Sequence, residues 1–118
     1  MDKVIVESPY AGEVVRNTIY ARRCMRDCIN RGEAPIAFHL LYTQVLDDTK
    51  KEERNTGLYS SFRWHEDADF LMVYEDYGIS PGMQTAIKFW KTLGFKDKII
   101  KRRIGKNEHT NSISNSDR

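Results

Sequence analysis

Short apolar runs separated by longer stretches of helical period are what most constrain this chain. Val4-Ile5-Val6 is the first run, and it ends in the breaker cluster Ser8-Pro9-Tyr10-Ala11-Gly12. A brief, β-branched, apolar run bounded in this way reads as a buried strand. Residues 13–31 then change to helical spacing, with Val14, Ala21, Cys24, Met25 and Cys28 on one stripe. Arg16, Arg22, Arg23 and Arg26 fall largely off that stripe, and Gly32 supplies the stop. Pro35-Ile36-Ala37-Phe38 is a second strand, with Pro35 first, where a missing donor matters least. A charged turn at 50–54 opens a second helix, whose apolar positions are Leu58, Tyr59 and Phe62. Asp69 introduces Phe70-Leu71-Met72-Val73-Tyr74, which reads as a central strand. Ser80 as N-cap and Pro81 at the first helical position open a third helix, and Gly94 closes it. Ile99-Ile100 with Arg103-Ile104 forms the last strand.

The order is therefore β-α-β-α-β-α-β. Strands joined through helices pair in parallel by right-handed crossovers. The expected fold is α/β: a doubly wound, Rossmann-like or flavodoxin-like parallel sheet of four strands, with helices on both faces. It should occupy residues 1–104. Residues 105–118, an Asn/Ser-rich polar segment with nothing to bury, are expected to form a disordered tail. Ligands of such sheets bind beyond the carboxyl ends of the strands, where strand order reverses. That rule selects residues 8–12, 39–48 and 76–82.

Composition narrows the function classes. At 118 residues with a net charge of +2, the chain suits one domain and implies no polyanionic partner. The arginines at 22, 23, 26, 54 and 63 are interleaved with Asp27, Glu52, Glu53, Glu66 and Asp67, which reads as solvated helix faces and not as a nucleic-acid surface. No run approaches the roughly 20 apolar residues of a membrane helix, and the charged N-terminus is no signal peptide, so a cytoplasmic protein without membrane contact is expected. Cys24 and Cys28 stack on one helix face with no grouped histidines, as core thiols would. No metal and no cofactor is implied.

Each selected loop has a bland and a functional reading. Ser8, Pro9, Tyr10 and Ala11 make a tight strand-to-helix turn, and equally a place where backbone N–H groups can approach a ligand. It is neither a dinucleotide fingerprint nor a P-loop. The second loop gathers His39, Tyr42, Thr43, Gln44, Asp47 and Asp48. A lone histidine there is more often structural than catalytic, so the density of groups is the signal. In the third, Asp76, Gly78, Ser80, Gly82 and Met83 exceed what a turn requires. Its donors suit a phosphate or sugar hydroxyl, and Asp76 suits a ribose hydroxyl.

The runs Val6-Glu7-Ser8-Pro9-Tyr10-Ala11-Gly12, Pro35-Ile36-Ala37 with His39-Leu40-Leu41-Tyr42-Thr43-Gln44, and Asp76-x-Gly78-Ile79-Ser80-x-Gly82-Met83 together resemble a family of small, mostly phage-encoded proteins. That family in turn looks like a compact relative of the nucleoside 2-deoxyribosyltransferases. The resemblance implies a nucleoside pocket, a homo-oligomer that completes it, and a host cytoplasmic setting. It also implies a carboxylate nucleophile on the helix after the third loop and an aspartate near the base. Asp69 and Asp76 stand where the transferases' acidic residues would, as the catalytic candidates. The nucleophile position, six residues after Gly78, is Gln84, and an amide cannot form the glycosyl ester. Three readings follow: an N-glycosidic enzyme drawing on Glu7, Asp47, Asp48, Asp69 or Asp76; a non-catalytic binder that sequesters a nucleotide-derived signal; or a structural role with empty loops. The ligand expected in the first two is a nucleoside or nucleotide.

Overall fold

In the computed structural model, which describes residues 1–106, the order is β1 (Lys3–Glu7), α1 (Val14–Asn30), β2 (Ala34–Ile36), α2 (Lys51–His65), β3 (Phe70–Tyr74), α3 (Pro81–Thr92) and β4 (Ile99–Arg102). The strands form one sheet in the order β2-β1-β3-β4, and every neighbouring pair is parallel. This is the doubly wound α/β architecture expected. From β1 the chain steps outward to β2 and then returns past β1 to β3. The order thus reverses between β1 and β3, and a crevice opens above their carboxyl ends.

Strand alternation sorts the core into two layers. Val4, Val6, Met72 and Tyr74 pack against Tyr20, Cys24 and Cys28 of α1. Ile5, Leu71 and Val73 point to the other face, against Phe38 and against Met83 and Trp90 of α3. Phe62 of α2 stacks on Phe89 of α3, with ring centroids 4.3 Å apart and planes 4° from parallel. Both cysteines are buried free thiols. Among the described residues, no helix is long and apolar enough to cross a membrane.

Several local expectations are corrected. Val14, assigned to the buried stripe of α1, is exposed; Asn17 and Tyr20 take the buried positions instead. The second strand ends at Ile36, and Phe38 enters a 3-10 turn at Phe38–Leu40 that is followed by another at Tyr42–Gln44. That tightening tucks the Phe38 ring beneath the sheet face. Residues 107–118 of the expected tail lie outside the described residues. Gly105, placed in that tail, is held: its N–H donates to Asp76 Oδ2 at 2.7 Å and its carbonyl accepts from Arg23 Nη2 at 3.1 Å.

Candidate functional site

The crevice holds a cavity of about 400 Å³, within the range usual for small-molecule sites. The first loop forms one wall with Ser8, Tyr10 and Ala11; the turns after β2 add Phe38, His39, Tyr42 and Asp48. Arg54, Asn55 and Gly57 of α2 close a third side, and Ser80, Gly82 and Met83 at the start of α3 close the fourth. Glu7, the last residue of β1, also lines it. A more open groove of about 550 Å³ lies beside it, between α1 and β2, and shares Tyr10 and Thr43. The shared residues aside, its polar lining is Thr18, Arg22 and Gln44, without the carboxyl and imidazole of the first cavity.

The first loop owes its shape to Asn17. The buried amide of Asn17 donates to the carbonyls of Tyr10 and Ala11 at 3.0 and 3.2 Å, and its own carbonyl accepts from Arg16. The sequence reading missed this residue. Its signal was an asparagine at a position of helical period where an apolar residue would ordinarily sit.

Ser8 Oγ and His39 Nε2 share a hydrogen bond of 2.8 Å, which ties the loop after β1 to the turn after β2. Burial pushes the imidazole down to about 4, so His39 is neutral at pH 7. Thr43 Oγ1 donates to the His39 carbonyl at 2.7 Å and fixes the turn. Phe38 and Tyr42 lie with ring centroids 5.6 Å apart and planes 26° from parallel, giving an aromatic wall. Gly57 allows α2 to approach this wall: a Cβ there would meet Leu46 Cδ1 at 3.2 Å.

Glu7 lies two residues after Ile5 and so shares its face, leaving β1 on the α2/α3 side in register with Val73. Burial alone raises its carboxyl to about 8, well above the usual carboxylate range. Asp48 is also raised by burial, with Arg54 pulling the other way. Asp47 makes an Asx turn with Thr49, whose side-chain and backbone hydrogen bonds lower its carboxyl.

Eight of the residues expected in the site line this cavity together: Ser8, Tyr10, Ala11, His39, Tyr42, Ser80, Gly82 and Met83. Pro9, Gly78 and Gln84 do not line it; Pro9 is buried and Gly78 and Gln84 are exposed. Both catalytic candidates lie elsewhere. Asp69 precedes β3, at the amino ends of the strands, where its Oδ2 accepts from the Lys3 N–H at 2.8 Å. Asp76 turns toward α1 and accepts from Tyr20 Oη at 2.6 Å and from the N–H groups of Ile104 and Gly105 at 2.9 and 2.7 Å. Burial tends to raise the Asp76 carboxyl, but these hydrogen bonds outweigh it and hold it below the usual range. Glu7, Phe38 and Arg54 were visible as an acid, a strand residue and a surface cation. Only the turn after β2 and the approach of α2 make them neighbours.

A family model described as a domain of unknown function (DUF7768) matches residues 2–100, which span every element up to the start of β4. The chain belongs to that family. No curated protein and no solved structure matches it.

Proposed function

We propose that this member of the family binds a nucleoside or nucleotide in the cavity above β1 and β3. The observation that carries the reading is one cavity in which the Phe38–Tyr42 wall, the Ser8–His39 pair and the Arg54 guanidinium meet. A base needs a flat apolar face, a sugar needs hydroxyl partners, and a phosphate needs positive potential. Arg54 and the N-terminus of α3 supply the last of these.

Non-catalytic binding is the form these contacts favour. Asp69 and Asp76 are engaged away from the cavity and Gln84 lies off it; of the acids that line it, Glu7 is pushed toward its neutral form by burial, Asp48 faces Arg54, and Glu53 accepts from the Asp47 N–H. Sequestration of a nucleotide-derived signal is the use such a binder would serve in a phage-infected cytoplasm. A second copy that covers the exposed Tyr59 and Trp64 of α2 belongs to the same reading.

The test is a panel of nucleosides and nucleotides, read by melting shift and by chromatography of the products. A ligand at 100 times its Kd should stabilise the fold by about 2.7 kcal/mol, a shift of many degrees for a domain this size. A shift without free base supports the binder. Release of free base makes the protein an N-glycosidic enzyme. No shift with any ligand removes the nucleotide reading.

A further inference from the structure

We propose that Glu7 reads the edge of a nucleobase as a neutral carboxylic acid, matching a ring acceptor and a neighbouring donor with its own O–H and C=O. This rests on the nucleoside reading of the cavity and goes beyond it, because it assigns the contact that holds the base and makes binding depend on a proton.

The geometry starts with the strand. Alternation aims Glu7 at the α2/α3 side, and it lines the same cavity as Phe38 and Tyr42, the rings on which a base would stack. Among the described residues, His65 Nε2 is the buried side-chain polar atom that lacks a partner. The Glu7 oxygens, which no hydrogen bond or ion pair among the described residues engages, are therefore open to the cavity and not sealed in the core. An unengaged carboxyl facing a small-molecule cavity is free to hydrogen-bond a ligand that enters it.

The groups around it leave its protonation to burial. Tyr10 faces the cavity from the first loop, His39, Tyr42 and Asp48 from the segment after β2, and Glu53 and Arg54 from α2; α3 contributes Ser80, Met83 and Thr85, none of which titrates near neutrality. His39 is neutral and spends Nε2 on Ser8. Glu53 Oε1 accepts from the Asp47 N–H, and Arg54 is drawn to Asp48. Desolvation alone moves Glu7, and it holds the proton to about pH 8.

An ionised carboxylate only accepts hydrogen bonds, whereas the neutral acid donates one and accepts another side by side. Adenine and cytosine present that pair on the pairing edge as a ring nitrogen beside an amino group, whereas guanine and uracil present the reverse, a ring N–H beside a carbonyl, which a neutral acid also matches. A cationic ligand, or one offering two donors, would instead prefer the ionised form. The sign of the pH dependence therefore distinguishes the two.

The experiment is calorimetric titration of the full chain with adenosine, cytidine, guanosine and uridine between pH 6 and 9.5, on the natural protein, Glu7→Gln and Glu7→Ala. For the tightest nucleoside, affinity should be level below pH 8 and then fall about tenfold per pH unit as the proton is lost. Glu7→Gln keeps one donor beside one acceptor, so it should bind within about threefold of the natural protein and lose the pH dependence, whereas Glu7→Ala should lose about tenfold or more at pH 7. Affinity that is flat or rises through pH 8, or a Glu7→Gln protein as weak as Glu7→Ala with its melting cooperative, overturns the role of Glu7 and leaves the pocket standing. No binding of any of the four nucleosides at any pH overturns the base contact assigned to Glu7, and the pocket reading falls with it only if the nucleotides of the wider panel also give no melting shift.

Discussion

At Asp76 one carboxylate accepts from a tyrosine hydroxyl on α1 and from two amides that follow β4, so a single side chain joins three parts of the chain. In Asp76→Asn one oxygen becomes an NH2 group facing a donor. Hydrogen bonds to charged groups contribute about 1.5–3 kcal/mol, so the variant should lose about 2 kcal/mol, with melting lowered by several degrees and nucleoside affinity little changed. Thermal melts and calorimetry on the same variant check this. Weakened binding with unchanged melting would place Asp76 in the site after all. His65 has a comparable role in the core: Trp90 Nε1 donates to its Nδ1 at 2.9 Å, and its ring packs among Phe38, Phe62 and Phe89. Burial pushes it down to about 4, so protonation here opposes the folded state.

At the scale of elements, β4 is tied down by its last residue. Arg102 makes a two-pronged contact with Glu33, just before β2, at 2.8 and 2.6 Å, and also donates to Tyr74 Oη. The Tyr74 hydroxyl in turn donates to Asp27 near the end of α1. Both charged side chains are largely buried, at 11% and 14% exposure, so the loss of one strands the other. Arg102→Met should cost about 3 kcal/mol, and Glu33→Gln in the same chain should recover part of it. Chemical denaturation of the two single variants and the double variant measures the coupling; additive losses would show that the pair does not act as a unit. α3 depends on a cap in the same way. Ser80 Oγ accepts from the Met83 N–H at 3.3 Å, and Ser80→Ala should cost about 1 kcal/mol while loosening the rim of the cavity.

Across the whole molecule, the buried titratable groups set a stability profile. His39 and His65, lowered from 6.5 to about 4, bind protons more readily when unfolded, so their contribution is complete above pH 6.5 and is lost as pH falls toward 4. Glu7, raised from 4.5 to about 8, binds its proton more readily when folded, so its contribution is present below 4.5 and is lost as pH rises to 8. Each group contributes a slope approaching about 1.4 kcal/mol per pH unit. Between pH 4.5 and 6.5 two histidines outweigh one glutamate, and from 6.5 to 8 the glutamate acts alone. Stability of the ligand-free protein should therefore peak near pH 6.5 and decline toward 8, and Glu7→Gln should flatten the alkaline side. Denaturation midpoints across this range test it; a natural protein with a level profile from 6.5 to 8 would mean that Glu7 ionises freely. Light scattering tests the homo-oligomer over the same protein: the mass of a monomer at micromolar concentration would remove it.

The elements and their order were legible because they depend on neighbours in sequence. Val4-Ile5-Val6 and Phe70 to Tyr74 are strands by composition and length, Ser80-Pro81 begins a helix by cap chemistry, and alternation with helices makes the sheet parallel. The loops that border the cavity followed from the same rule. What the sequence left open was which acid faces the cavity. Asp76 suited a ribose hydroxyl until Tyr20, 56 residues away, and the amides of Ile104 and Gly105 claimed it. Asp69 sits at the wrong end of its strand because a parallel sheet gathers its carboxyl ends on one side. Glu7 looked like the charged end of β1, and it became a carboxyl of the cavity when the turn after β2 and helix α2 packed around it and left it poorly hydrated. Local propensity chooses an element within a few residues, but burial and hydrogen-bond partners come from chain segments that only the packed fold brings together.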